Sequence, residues 1–311
     1  MSGGATALDR GRAAVEEVVG LLDLATVEPA DATVTTGRLV PVAGVFSGRG
    51  TARGTTRRYG GLIAAQALTA AAHTVRPGRP VHSLHAYFTR PGDSRRPVTY
   101  LVETLRDGPS MSTRRVVAIQ RDTPIFFLTA SFHDPGTGLA HERPAPKVPP
   151  PEEVPTLARL LADAPDRLAA VEQMLFAFDA RYIGPPPGEQ ADGERAGEAY
   201  RRAWVRVAGK LPDDVSLHAG ALVLISDLPL LLSAMVAGHG TAWGPGDLGV
   251  SIDHTVWFHR PCRADEWLLY DCDSPWAATG RGLATGRLYA RNGDLVATVA
   301  QEGLLLTRPA R

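Results

Sequence analysis

Apolar and polar positions fall into a pattern that runs through the chain twice. Residues Met1 to Arg10 are small and polar and predict no ordered element. From Arg12 to Leu24, apolar residues at Val15, Val18, Val19 and Leu22 have the spacing of a short amphipathic helix. Glycines and alternating residues between Gly37 and Arg58 predict a strand and a turn. Gly60-Gly61 then opens LIAAQALTAAAHTV, an Ala- and Leu-rich run that predicts a buried helix ending before Pro77-Gly78. Beyond His82 the period shortens. SLHAYF, VTYLVETL, TRRVVAIQ and IFFLTASF read as strands separated by RPGD, DGPS and RDTP turns.

Between Pro135 and Pro187 lie 11 of the 25 prolines, a linker signature, although VPTLARLLADAPDRLAAVEQML inside it has helical periodicity. The earlier pattern then returns with FAFDARYI and AWVRV. His218 to Gly240, HAGALVLISDLPLLLSAMVAGHG, is almost uniformly aliphatic and long enough for about five or six helical turns. SIDHTVWFHR, EWLLYDC, RGLATGRLYA and DLVATVAQEGLLL follow as strands. A constant shift of 170 brings Phe88-Thr89-Arg90-Pro91 onto Phe258-His259-Arg260-Pro261, Arg121-Asp122 onto Arg291-Asn292, Ala130 onto Ala300 and Ser131 onto Gln301. That period is too long for a solenoid and predicts duplication of one α+β unit. A long buried helix followed by an antiparallel meander is a helix wrapped by a curved sheet, the hotdog unit. Two units make a double hotdog, with repeats at 12–134 and 176–308 and a proline-rich linker containing a helix at 135–175.

Charge narrows the partners. Lys+Arg and Asp+Glu are equal at 33 each, which gives no electrostatic case for nucleic acid or an anionic membrane. Cys262 and Cys272 are too few and too far apart for a zinc site, and a reduced cytoplasmic setting is the expectation. No basic stretch followed by an apolar one marks a secretory signal. Within His218–Gly240, Asp227 and Pro229 argue against a membrane span. An ionised carboxylate in such surroundings costs several kcal/mol unless paired or hydrogen-bonded. Asp227 is therefore either a satisfied structural acid or is kept for chemistry, and Pro229 predicts a kink beside it.

Particular stretches of both halves closely resemble the TesB-type (type II) acyl-CoA thioesterases. They are Tyr59-Gly60-Gly61 before Gln66-Ala67-Leu68, VHSLHAYFTRPGD at Val81–Asp93, and VETLRDGPSMSTRRVVAIQ at Val102–Gln120. In the second half they are VSLHAG from Val215, SDLPLL from Ser226, SIDHTVWFHRP from Ser251, EWLLY from Glu266, and QEG at Gln301–Gly303. The resemblance runs from about Leu21 to Leu306 and is poor in the proline-rich middle. It implies an acyl-CoA substrate, a homo-oligomer (dimer or tetramer), and a catalytic trio at Asp227, Ser251 and Gln301 that holds a water. The chemistry is sound independently: thioester hydrolysis needs a positioned, partly deprotonated water and donors for the developing oxyanion. No cofactor and no metal is expected. The chain departs from the family pattern at Ser251, where Thr is common, and at Leu62, where Gln commonly follows Gly-Gly. Leu62 gives the one encouragement to an alternative, a non-catalytic acyl-CoA or acyl-carrier binding protein.

Other candidates are weighed against plainer readings. Gly60 and Gly61 offer backbone donors at a helix N-terminus, or simply allow close packing. His82 and His85 form an H-x-x-H pair with no third ligand for a metal, and His82 is a candidate for supporting the cleft. Asp253-His254 looks like a dyad, but neighbouring strand residues point to opposite faces, so structural roles are expected. The Arg95-Arg96 and Arg114-Arg115 pairs are candidates for CoA phosphates or for solvated surface. A hotdog hydratase would carry a His five residues after its Asp, and Leu232 and Phe258 stand there instead.

Overall fold

The computed structural model describes residues 7–28, 41–51, 57–175, 177–184, 199–228 and 248–306. Its first half comprises α1 (Ala7–Leu22), β1 (Ala25–Thr26), β2 (Val42–Gly48), α2 (Gly60–Ala72) and a meander of β3 (Val81–Phe88), β4 (Val98–Asp107), β5 (Met111–Gln120) and β6 (Thr123–His133). Two short helices follow, α3 (Leu157–Leu160) and α4 (Pro165–Met174), separated at the Ala164-Pro165 step. The second half comprises β7 (Phe178–Ile183), β8 (Tyr200–Val207), α5 (Val215–Ser226), β9 (Leu248–Ser251), β10 (Asp253–Phe258), β11 (Leu268–Ala278), β12 (Arg281–Ala290) and β13 (Leu295–Leu306).

The strands form one antiparallel sheet in the order β1-β2-β4-β5-β6-β3-β10-β13-β12-β11-β8-β7, with β9 also on β13. Read outward from the centre, β3-β6-β5-β4-β2 and β10-β13-β12-β11-β8 are the same order twice. The halves join where β3 pairs with β10, and there His85 lies opposite Thr255. These two residues are 170 apart, so a local twofold axis passes between them. Alanine-rich α2 and aliphatic α5 pack together inside the sheet. Their antiparallel course is fixed by Gly61 meeting Asp227 at one end and by Thr69 lying beside Gly220 at the other. One apolar core contains Leu68 of α2, Leu222 and Leu224 of α5, and Leu84, Val116, Leu128, Val256 and Leu288 from the sheet. This is a double hotdog.

Four expectations are corrected. Helix α1 begins at Ala7, so residues 7–10 are helical. α5 ends at Ser226, and Asp227 is its C-cap rather than a mid-helix residue. The following Leu228-Pro229 step disfavours continuation, because the residue before a proline is driven from the α region. The predicted kink and residues 229–240 lie outside the described residues. The stretch SIDHTVWFHR is two strands, not one. Ser251 pairs with Gly303, whereas Thr255 pairs with Ala300, so one extra residue is accommodated around Ile252.

The fourth concerns the repeat. Arg121 and Asp122 make a two-residue turn between β5 and β6, both with positive φ. The β12–β13 turn is one residue longer and closes between Ala290 and Asp294. The shift therefore becomes 171 in the last strand. Ala130 pairs with Arg114, and Gln301 with Ala284. Ala130, not Ser131, occupies the place of Gln301.

Candidate active site

The end of α5 is held by three side-chain caps and one backbone bond. The last carbonyls of a helix have no partner within it, yet each of the final four here is satisfied. Val223 O accepts from the Ser226 hydroxyl at 2.9 Å. Leu224 O accepts from the Tyr59 hydroxyl at 2.7 Å, a contact from the first half. Ile225 O accepts from the backbone N–H of Leu228 at 3.1 Å. Ser226 O accepts from the Tyr270 hydroxyl at 2.7 Å. Asp227 projects from this fixed end.

The carboxylate of Asp227 takes one donor from each half of the molecule. Its Oδ2 accepts from the Gly61 N–H at 2.5 Å, and its Oδ1 accepts from Gln301 Nε2 at 2.6 Å. The same Gln301 amide donates its other hydrogen to Ser251 Oγ at 2.7 Å. Asp227, Ser251 and Gln301 are thus one hydrogen-bonded group drawn from α5, β9 and β13. Burial pushes the Asp227 carboxyl up to about 6; the donors from Gln301 and Gly61 favour its ionised form and act in the opposite direction. An acid in that range is ionised near neutral pH and remains basic enough to accept a proton.

Gly60 and Gly61 open α2 against this group. A Cβ on Gly60 would meet Asp227 Oδ2 at 2.9 Å, and one on Gly61 would meet Asp227 Cβ at 3.0 Å. The glycines thus serve both a close approach and, at Gly61, a backbone donor placed on the carboxylate. Leu62 is buried in the apolar core. His82 is not brought to the group. It bonds Ser131 Oγ at 2.8 Å near the start of β3, whereas Phe88, beside Gly60, ends that strand about 20 Å away.

Asp253 and His254 do point apart. Asp253 Oδ1 accepts from the Glu302 N–H at 2.7 Å, and His254 Nε2 meets Ser226 Oγ at 2.8 Å. Arg114 is buried on Thr74 and Asp107, whereas Arg115 is half-exposed and pairs with Glu103. No cluster of three or more His, Cys, Asp or Glu side chains suited to a metal occurs among the described residues. No helix among them is long and apolar enough to cross a membrane. The signal missed in the sequence was the pair of capping tyrosines, Tyr59 and Tyr270, which lie far from Asp227 along the chain.

Helix, sheet order and the twofold relation place the chain among the double-hotdog proteins. Family profiles described as acyl-CoA thioesterase and as acyl-CoA thioesterase N-terminal domain match residues 172–304 and 50–133. Acyl-coenzyme A thioesterase 8 of Homo sapiens is 38% identical over 269 residues, covering 81% of this chain and 82% of the relative. Acyl-CoA thioesterase 2 of Haemophilus influenzae is 34% identical, covering 84% and 92%. The crystal structure of an acyl-CoA thioesterase II, TesB2, from Mycobacterium marinum superposes with a TM-score of 0.73 at 36% identity, covering 94% of this chain and 98% of that one. The chain belongs to the TesB-type acyl-CoA thioesterase family.

Proposed function

We propose that the protein hydrolyses an acyl-CoA thioester to a free acid and CoA by direct attack of a water held by Asp227, Ser251 and Gln301. The observation that carries the reading is the single group these residues form, in which one amide bridges a carboxylate and a hydroxyl. Asp227 spends two of roughly four lone-pair sites on Gly61 and Gln301, which leaves capacity to accept from water. Ser251 accepts from Gln301 and keeps its own hydrogen to donate. In the reaction Asp227 removes the water's proton as oxygen bonds to the thioester carbon, and the proton then passes to the departing thiolate. No covalent acyl-enzyme is needed.

Asp227→Asn tests the reading, because it keeps the shape and removes the base. Thiol release from acyl-CoA is expected to fall by about 10²- to 10⁴-fold, the range for loss of a general base, with unchanged circular dichroism. Turnover at the parent rate would refute the role of Asp227. Tight acyl-CoA binding by the parent protein without any thiol release would favour the binding-protein alternative.

A further inference from the structure

We propose that His254 is a positioning residue for this hydrolysis, acting through Ser226 to aim the Asp227 carboxylate. The proposal rests on the mechanism above.

His254 is fully buried, and it replaces an equally buried leucine of the other half. Leu84 is its counterpart at a shift of 170, and both are 0% exposed. A core strand position that accepts leucine in one half carries a polar ring in the other, and polar burial is unfavourable unless hydrogen-bonded. The protein partner of that ring among the described residues is Ser226, the residue immediately before Asp227.

The direction of the bond follows from the other contact of Ser226. Its single hydroxyl hydrogen is given to Val223 O at 2.9 Å. Ser226 Oγ therefore accepts from His254, which fixes the Nε2–H tautomer. Burial holds the imidazole down to about 4, so it is neutral wherever Asp227 is ionised. The Nδ1 atom is buried without a protein partner among the described residues, so the site retains an unpaired polar atom in exchange for this one bond. Ser226 is then pinned three ways: its hydroxyl to Val223, its hydroxyl to His254, and its carbonyl to Tyr270. The backbone on which the carboxylate is mounted cannot rotate without breaking one of them.

The test compares His254→Leu, which installs the residue of the other half, with His254→Gln, whose Nε2–H reaches about as far as the imidazole Nε2. His254→Leu is expected to lower kcat about 10-fold, the scale of a small misplacement of a reacting group, with KM within about twofold because no substrate contact is removed. Its acid limb in kcat/KM should move as the Asp227 environment loosens. The titratable groups that sense Asp227 across the site are the Tyr59 and Tyr270 phenols, both raised well above their ordinary range by burial, so neither titrates in that window. His254→Gln should recover most of kcat. Ser226→Ala should resemble His254→Leu, and the double variant should be no slower than either alone. The proposal is overturned if His254→Leu turns over at the parent rate, if Gln is as slow as Leu, or if the two losses multiply. If Asp227→Asn also retains activity, the underlying mechanism has failed and the positioning role falls with it.

Discussion

In the second half, Asp227, Ser251 and Gln301 meet beside Ala284. In the first, the same places hold a helix end at His73, Val81, Ala130 and Arg114. Both halves share strand order and a one-residue irregularity near the start of the central strand, at His82 and at Ile252. What differs is the filling. The Arg114 guanidinium, almost fully buried, bonds the hydroxyl and carbonyl of Thr74 past the end of α2 and pairs with Asp107. Ala284 leaves its counterpart space to the Gln301 amide. A duplicated unit thus gathers the proposed catalytic group at one end and closes the other with a cation, and the small residue at Ala284 is part of that difference.

That contrast breaks most sharply if the plug is moved. Ala284→Arg places a guanidinium next to Gln301 on the adjacent strand, within reach of the Asp227 carboxylate. An opposite charge so close drives a carboxyl down and removes its basicity. Thiol release should fall at least about 1000-fold, on the scale of losing the base, and a steady-state assay at neutral pH reads it directly. Near-parent activity would mean that the filling of this space does not separate the halves.

Gln301→Ala installs what the first half has at Ala130. One donor to Asp227 and one to Ser251 disappear together, and kcat should drop about 100-fold, as for loss of one oriented donor. The variant also has a signed pH effect. The Gln301 bond favours the ionised Asp227, so without it the carboxyl rises above about 6, and the acid limb of kcat/KM should move to higher pH. An unmoved limb would show that another group controls it.

The repeat, both buried helices and most of the strand segments were legible in the amino-acid pattern, because apolar periodicity is local and the turns are marked by Gly, Pro and Asp. The trio was legible through motif resemblance. The end of α5 was less legible, because a proline in an aliphatic run marks either a kink or a stop, and Pro229 predicts the kink only if the helix continues past it. Its end at Ser226 is secured by the Tyr59 and Tyr270 hydroxyls, supplied by distant segments. The pairing of Gln301 with Ala284 was hidden too, because one extra turn residue before Asp294 slides the last strand by one position. Arg114 read as a possible surface cation because burial is a property of the sheet it lands on.

The smallest effect expected is one on stability, and it has opposite signs in the two halves. Asp107 is held below the ordinary carboxylate range, first by its bond from Arg114. A lowered acid stabilises the fold above its unfolded-state pKa and loses that contribution as pH falls through the folded value. Asp227 is raised, from 3.8 to about 6, by burial. A raised acid does the reverse: the fold is unpenalised below about 4, and the penalty grows between about pH 4 and 6, where the unfolded carboxyl has ionised and the native one still holds its proton. A shift of this size corresponds to a ceiling of about 3 kcal/mol. Asp227→Asn should therefore unfold at higher urea concentration than the parent at pH 8, and the gap should close as pH approaches 4. A gap independent of pH would trace any stabilisation to packing instead, and would remove the link between the buried charge of Asp227 and the stability of the fold.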